Sequence, residues 1–230
     1  MASASADVGS SLPTAYPPSS VPGRIKSSHG DEAVLTYDEL QEKEAIRIVA
    51  DDGAGATVLF SGTTRDLFKG KQVIKLEYEA YTSLALKTLS SLLEKAHTSA
   101  PFLENPIPRS ANAAPASISE EEEDRITRCY IAHRLGEVAV GQCSIVIAVS
   151  SPHRKEAFVV AEWLLEEVKK NVAVWKREFY AQGEMVTALD GQDAPIDRDE
   201  GKKAGEDGGS AHGENAKSSS WSWKANFPTS

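Results

Sequence analysis

Only two stretches of this 230-residue chain carry enough regularly spaced apolar residues to build a hydrophobic core, residues 31–97 and 125–190. The stretch between them, 98–124, contains four prolines and the acidic run EEEED. Residues 1–30 and 191–230 are rich in small, polar and charged residues. Segments of such composition cannot bury enough apolar surface to offset chain entropy. The sequence therefore predicts one domain over 31–190, interrupted by a flexible acidic and proline-rich insert at 98–124 and flanked by disordered tails.

Within the two core stretches, helical and strand-like apolar spacings follow one another. The predicted helices cover residues 40–50, 83–97 and 152–172. The predicted strands cover residues 56–61, 71–81, 125–133, 142–150, 174–180 and 184–189. Residues 134–137 are predicted as a loop, and the last two strands as a hairpin across Gln182 and Gly183. Mixed elements of this kind predict an α+β fold or an α/β sandwich.

The helix predicted at 152–172 has a marked start, with Ser151 as N-cap and Pro152 at the first helical position. Its spacing of apolar residues predicts a buried face. The residues expected on that face are Phe158, Ala161, Leu165, Val168 and Val172.

Composition excludes several classes of protein. The formal net charge of −9 argues against nucleic-acid binding, which normally needs a basic surface. No stretch approaches the roughly 20 apolar residues of a membrane span, and the N-terminus lacks the apolar region of a secretory signal. Cys129 and Cys143 lie in apolar strands without metal-ligand spacing, so we expect reduced, buried thiols and no metal. We therefore expect the protein to be cytosolic.

Two pairs of cations lie within the segment 151–178. His153 and Arg154 stand at the start of the predicted helix, where free N–H groups and the helix dipole favour an anion such as phosphate. Lys169 and Lys176 lie seven residues apart at its far end, where they can serve an acidic partner or supply an amine. A solvated helix face explains the same charges equally well.

Further charged side chains follow or lie on the predicted strands. The segment FSGTTRD at 60–66 ends a buried strand in a polar loop, so Arg65 is a candidate anion contact, or simply a loop residue. On the strand at 174–180, alternation puts Lys176 and Glu178 on one face and Arg177 on the other.

Other sequence motifs lack the structural context that their function requires. Gly53 and Gly55 precede a strand instead of following one, which rejects a dinucleotide fingerprint. Gly70-Lys71 lacks the rest of a phosphate-binding Walker loop. His133 and Arg134 are interpreted as a structural turn contact. No serine lies on a nucleophile elbow.

Five segments, in this order and spacing, resemble the large, catalytic subunit of molybdopterin synthase. They are FSGTTRD at 60–66, LEYEAY at 76–81, HRLGEVAVGQ at 133–142, SPHRKEAF at 151–158 and VWKRE at 174–178. The resemblance covers residues 32–97 and 125–190, and the insert and tails depart from it as a eukaryotic elaboration would. It implies an α/β hammerhead-like fold with an additional small antiparallel β subdomain, and makes 31–190 the catalytic domain.

The resemblance also implies a reaction. The family transfers sulfur from the C-terminal thiocarboxylate of a small ubiquitin-like subunit to precursor Z, a cyclic pyranopterin monophosphate, and so makes the molybdopterin dithiolene of the molybdenum cofactor. Two large subunits form a central homodimer within a heterotetramer. No bound cofactor or metal is implied. A basic pocket would attract both the phosphorylated substrate and the tail.

The resemblance assigns residues to that pocket. Lys169 and Lys176 would be catalytic: Lys169 would contact the partner's thiocarboxylate, and Lys176 would assist sulfur transfer. The substrate-binding residues would be Arg65, His153, Arg154, Lys169, Lys176, Arg177 and Glu178.

Two alternatives remain open from the residues themselves. One is a non-catalytic module that binds the Gly-Gly tail of a ubiquitin-like protein through the same basic pocket. The other is a phosphate-sugar enzyme built on the helix start at His153.

Overall fold

A computed structural model of the chain describes residues 16–106 and 125–190, except Gln182 and Glu184. The predicted tails at 1–15 and 191–230 and the insert at 107–124 lie outside the described residues. The helices of the described part are α1 (Glu42–Val49), α2 (Thr82–Ala96) and α3 (Arg154–Asn171), with a 3₁₀ turn at Ala100–Phe102. The strands are β1 (Gly23–Lys26), β2 (Glu32–Thr36), β3 (Ala56–Thr63), β4 (Leu67–Phe68), β5 (Lys71–Ala80), β6 (Arg128–Arg134), β7 (Gly136–Ala139), β8 (Cys143–Ser151), β9 (Val174–Tyr180) and β10 (Met185–Leu189).

The first sheet has the strand order β1-β2-β6-β8-β3. Strands β2 and β6 run parallel, and the other neighbours run antiparallel. Alternate residues of β6 divide between two cores: Ile131 packs with α2 and α3, whereas Tyr130 and Ala132 pack with α1. Helices therefore cover both faces, which explains why β8 reads as a continuous apolar run instead of an alternating one.

The second sheet is antiparallel and has the order β10-β9-β5-β4, with β7 also paired to β5. In β5, Glu77 lies opposite both Arg177 of β9 and Glu137 of β7. The mixed α/β fold with a small antiparallel part is therefore confirmed. Strands β2, β4 and β7 were missed because segments of two to five residues carry too little apolar alternation to stand out in a sequence.

Part of the segment predicted as an N-terminal tail is ordered. Strand β1 pairs with β2, and Ile25 packs against the core. Arg24 forms an ion pair with the buried Glu32, and Lys26 Nζ lies 3.7 Å from Glu32 Oε2. The prediction of disorder was wrong for these residues, because a four-residue strand gains its order from its neighbour.

The start of the predicted insert is also ordered. Pro101 and Phe102 are buried in the 3₁₀ turn that follows α2. The guanidinium of Arg125, at the other end of the insert, lies 4.7 Å from the centre of the Phe102 ring. The two ends of the insert are therefore held together.

The start and the buried face of α3 differ from prediction. The helix begins at Arg154 with His153 as N-cap, and Ser151 is the last residue of β8. The Ser151 hydroxyl still accepts a hydrogen bond from the His153 N–H at 3.2 Å.

The buried face of α3 is formed by Ala157, Val160, Ala161, Leu164 and Val168. Phe158 was predicted to be buried but is 63% exposed, because it lies about 100° around the helix from Ala157. None of the helices in residues 16–106 and 125–190 has the length and hydropathy of a membrane span.

The observed buried face of α3 predicts that truncating two of its side chains destabilises the protein unequally. Leu164 is fully buried, so Leu164→Ala should lower the free energy of unfolding by about 2–5 kcal/mol. Phe158→Ala removes a mostly exposed ring and should lower the free energy of unfolding by less than about 0.5 kcal/mol. Urea denaturation followed by circular dichroism measures both, and equal losses would contradict this packing.

Candidate functional site

Strand β9 presents an acid–base pair to one side of the second sheet. Lys176 lies opposite Tyr78 of β5 and Ala188 of β10, and its Nζ is 2.8 Å from Glu178 Oε1. The buried Glu178 also accepts a hydrogen bond from the Tyr180 hydroxyl. The prediction that Lys176 and Glu178 share a face is confirmed.

Two further titratable residues lie beside this pair, His133 and Asp190. His133 Nε2 is 3.1 Å from Asp190 Oδ2, and the imidazole is only 2% exposed. The other ring nitrogen, Nδ1, donates to the Arg134 carbonyl oxygen at 2.9 Å. The Tyr78 ring meets the His133 ring edge-on, with 4.9 Å between their centres. His133 was interpreted from sequence only as a turn contact, and Asp190 was missed because it precedes a segment without apolar pattern.

Lys169 lies in the last turn of α3, close to the same acid. The helix ends at Asn171 and β9 begins at Val174, whose carbonyl oxygen accepts a hydrogen bond from the Asp190 N–H at 3.0 Å. Burial raises the pKa of Asp190, but the hydrogen bond and charge of His133, with the charges of Lys176 and Lys169, outweigh it. The pKa of Asp190 therefore lies below its ordinary value. We call His133, Lys169, Lys176, Glu178 and Asp190 the lysine–acid cluster.

Tyr78 remains a neutral hydrogen-bonding group beside this cluster. Burial raises the pKa of Tyr78, and the negative charge of Asp190 raises it further, while a hydrogen bond with Ser144 acts in the opposite direction. The Tyr78 phenol is therefore protonated at neutral pH and can donate a hydrogen bond.

Arg65 lies at the same end of the first sheet as this cluster. Thr63 of β3 is opposite Cys143, and His133 is opposite Ile145, near the same end of β8. Arg65, two residues beyond β3, is exposed, and its guanidinium lies 5.4 Å from the centre of the Phe68 ring.

His153 and Arg154 lie at the other end of the sheet. Ser151, just before them, pairs with Ala56 at the far end of β8. Both side chains are exposed, and with a rise of 1.5 Å per residue α3 separates them from Lys169 by about 23 Å. One protomer therefore does not bring these two groups of cations together.

Arg177 points away from the cluster. It forms ion pairs with Glu79 and, at 3.3 Å, with Glu77. Lys75 bridges Glu77 at 3.0 Å and Glu137 at 2.6 Å on the same side. The predicted substrate contact is thus placed in a structural charge network, as the alternation of β9 requires.

The family model for the MoaE protein matches residues 35–171. A molybdopterin synthase catalytic subunit of Emericella nidulans is 38% identical over 179 residues, which cover 76% of this chain and 80% of that protein. This chain belongs to the MoaE family.

Two other relatives of this MoaE-family chain have the same kind of name. The Aedes aegypti protein called molybdopterin synthase catalytic subunit 2 is 41% identical over 150 residues, 65% of this chain and 82% of its own. The crystal structure of molybdopterin synthase from Staphylococcus aureus has a TM-score of 0.52 and 27% identity, covering 67% of this chain and 94% of that one.

One group of buried side chains in this MoaE-family chain has the composition of a metal site. Asp31, His97 and Cys129 come from distant positions, so sequence spacing did not indicate them. The Asp31 carboxylate already accepts hydrogen bonds from the Ser27 hydroxyl at 2.7 Å and the Cys129 N–H at 2.8 Å, and contacts His97 Nε2 at 3.0 Å. Burial, with the charge of Asp31, raises the pKa of the Cys129 thiol and keeps it neutral. These contacts assign the group a structural role.

The paired Asp190 makes stability depend on pH in acid. Because its folded-state pKa is lowered, its contribution is complete above the ordinary aspartate pKa of about 3.9 and is lost as pH falls through the folded-state value. Below about pH 4, the free energy of unfolding should therefore fall more steeply for the wild-type chain than for Asp190→Asn.

Urea titrations at a series of pH values measure these slopes. The control is Asp52→Asn, which removes an exposed carboxylate outside the cluster, and it should keep the wild-type slope. Equal slopes for the wild type and Asp190→Asn would contradict an ionised, paired Asp190.

Proposed function

We propose that this chain is the catalytic subunit of a molybdopterin synthase in molybdenum cofactor biosynthesis. It takes sulfur from the C-terminal thiocarboxylate of a small ubiquitin-like subunit and transfers it to precursor Z, forming the dithiolene of molybdopterin. The single observation that carries the proposal is the lysine–acid cluster, where the end of α3 and strand β9 bring Lys169 and Lys176 near one partly buried carboxylate. Membership of the MoaE family and the names of the relatives support it.

The charges of the cluster suit this chemistry. The thiocarboxylate and the substrate's phosphate are both anionic, and ammonium groups attract and position anions. Lys169 contacts the partner's C-terminal group, and Lys176, with Glu178 at 2.8 Å, assists sulfur transfer. A partly buried site strengthens such interactions because water screens them less there.

The proposal requires no thiol of this chain, because sulfur arrives on the partner. Cys129 is buried, and burial raises the pKa of the half-buried Cys143, whose sulfur is 3.2 Å from the Ser61 hydroxyl oxygen. Neither cysteine therefore has the lowered pKa of a reactive thiolate. Both thiols stay reduced in the cytosol, where we place the reaction.

The length of α3 supports assembly as a homodimer. His153 and Arg154 lie about 23 Å from Lys169 in one protomer, farther than one pterin monophosphate can reach. We propose that a second copy supplies them, so that each pocket combines Lys169 and Lys176 of one protomer with His153 and Arg154 of the other. Arg65 completes the anion contacts, and one small subunit binds each protomer in a heterotetramer. The catalytic domain spans 31–190, with β1 added to it.

Reconstitution tests the activity. The purified chain, mixed with thiocarboxylated small subunit and precursor Z, should form molybdopterin, measured as its fluorescent oxidation product. Lys169→Ala should lower the rate by about a hundredfold or more because it removes a charge at the reacting group. The control is Lys170→Ala, which changes the adjacent, exposed lysine and should keep the wild-type rate.

Absence of product from a folded chain that binds the small subunit would reject the enzyme. If calorimetry then showed heat with the partner's tail and none with precursor Z, the non-catalytic tail-binding module would replace it. Near-normal turnover by Lys169→Ala would remove this lysine from the proposed role.

Mixing of protomers tests the shared pocket. Arg154→Ala and Lys169→Ala should each be nearly inactive alone. When equal amounts are co-expressed, half of the dimers are mixed, and each mixed dimer keeps one intact pocket of its two. Turnover should therefore recover to about a quarter of the wild-type value. No recovery above the separate variants would show that each protomer builds its pocket alone.

A further inference from the structure

Asp190 is the carboxylate of the lysine–acid cluster that contacts His133 directly and lies near enough to Lys169 and Lys176 for their charges to lower its pKa. We infer that Asp190, anchored by His133, is a positioning residue that holds the ammonium groups of Lys169 and Lys176 for sulfur transfer. This inference rests on the proposed function, and it adds residues that the five family-like sequence segments did not assign to the site.

The register of the second sheet directs Asp190 toward Lys176. Lys176 pairs with Ala188 of β10, so the two side chains lie on the same face. Asp190 follows two residues after Ala188, which keeps it on that face and beside Lys176.

His133 fixes the orientation of Asp190. The Arg134 carbonyl oxygen can only accept a hydrogen bond, so Nδ1 carries a proton, and Nε2 faces an ionised carboxylate at 3.1 Å. The His133 ring therefore presents Nδ1 to the Arg134 carbonyl oxygen and Nε2 to the Asp190 carboxylate. Because it is 2% exposed and packed against Tyr78, it cannot turn away, and the bond is charge-assisted.

Lys169 lies near the same acid on the helix side. Its last helical turn leads directly into β9, where the Asp190 N–H donates to the Val174 carbonyl oxygen at 3.0 Å. This backbone bond holds Asp190 against the junction between α3 and β9. Lys169 also lowers the pKa of Asp190, as a positive charge nearby must.

The charges of the cluster explain why this carboxylate matters. Lys169 and Lys176 are cationic, and Asp190 and Glu178 are anionic, so the two carboxylates offset the repulsion between the two ammonium groups. Without Asp190, Glu178 alone would offset the repulsion between the two ammonium groups. The two amines would then lose their fixed positions.

Competitive labelling with trace acetic anhydride tests the contact without requiring activity. In the complete chain at neutral pH, Asp190→Asn should raise acetylation of both Lys169 and Lys176 by roughly threefold or more, because a neighbouring negative charge protects an ammonium group. Exposed Lys87 of α2 serves as internal standard and should not change. Glu178→Gln removes the carboxylate in contact with Lys176. It should raise the acetylation of Lys176 more than that of Lys169.

The reconstituted complex tests the positioning role. Asp190→Asn should lower turnover by roughly tenfold, and Asp190→Glu, which keeps the charge, should recover most of it. If Asp190 were purely structural, the turnover of Asp190→Asn and Asp190→Glu would follow the melting temperatures of the two variants. It would not depend on whether the new side chain is charged. The control, Glu44→Gln on α1, breaks an exposed ion pair with Arg47 and should change neither labelling nor turnover.

Unchanged labelling of both lysines in Asp190→Asn would overturn the inference, and so would wild-type turnover in that variant. If Asp190→Asn does not fold, Asp190→Glu decides: labelling within twofold of wild type supports the charge contact, and a threefold rise in both lysines refutes it. If the wild-type complex forms no molybdopterin, the proposed function fails, whereas the labelling result still decides whether Asp190 holds the lysines.

Discussion

The pair formed by buried His133 and partly buried Asp190 joins the two sheets of this protein. His133 belongs to β6 of the first sheet, and Asp190 follows β10 of the second. A buried charge is costly unless it is paired, so each of these residues requires the other in its place. Their 3.1 Å contact therefore sets where the end of β10 lies against the first sheet, and with it the position of the lysines.

The second constraint is the length of α3. The helix begins beside His153 and Arg154 and ends beside Lys169, and it packs along β3 and β8 between these ends. A straight helix of this length keeps its two cationic ends about 23 Å apart. The cations expected to share one pocket can therefore meet only if two protomers contribute, which is why the proposed chemistry and the proposed dimer depend on each other.

Much of the fold could be predicted because the long elements have clear periods. Strand β8, helix α2 and the hairpin of β9 and β10 were all expected from their apolar spacing, and so was the common face of Lys176 and Glu178. The exposure of Phe158 was not expected, because shifting the apolar stripe of a helix by one residue leaves a pattern that fits the sequence equally well. Strand β1 owes its order to β2 and to Glu32, which local composition does not reveal.

The candidate site was less predictable than the fold. His133 and Asp190 are 57 residues apart, and no local pattern relates them. Their contact depends on the packing of one sheet against the other. By contrast, Arg177 was assigned to the substrate by resemblance, although alternation along β9 already placed it opposite Lys176, where it meets Glu77 and Glu79.

The most direct test of the central claim is an experimental structure of the complex between this chain and the small subunit. We expect the partner's terminal carboxylate to lie within about 4 Å of the amines of Lys169 and Lys176, with His153 and Arg154 of the second large subunit facing the same pocket. A tail bound beside Arg177, or a pocket closed by residues of one protomer alone, would contradict it.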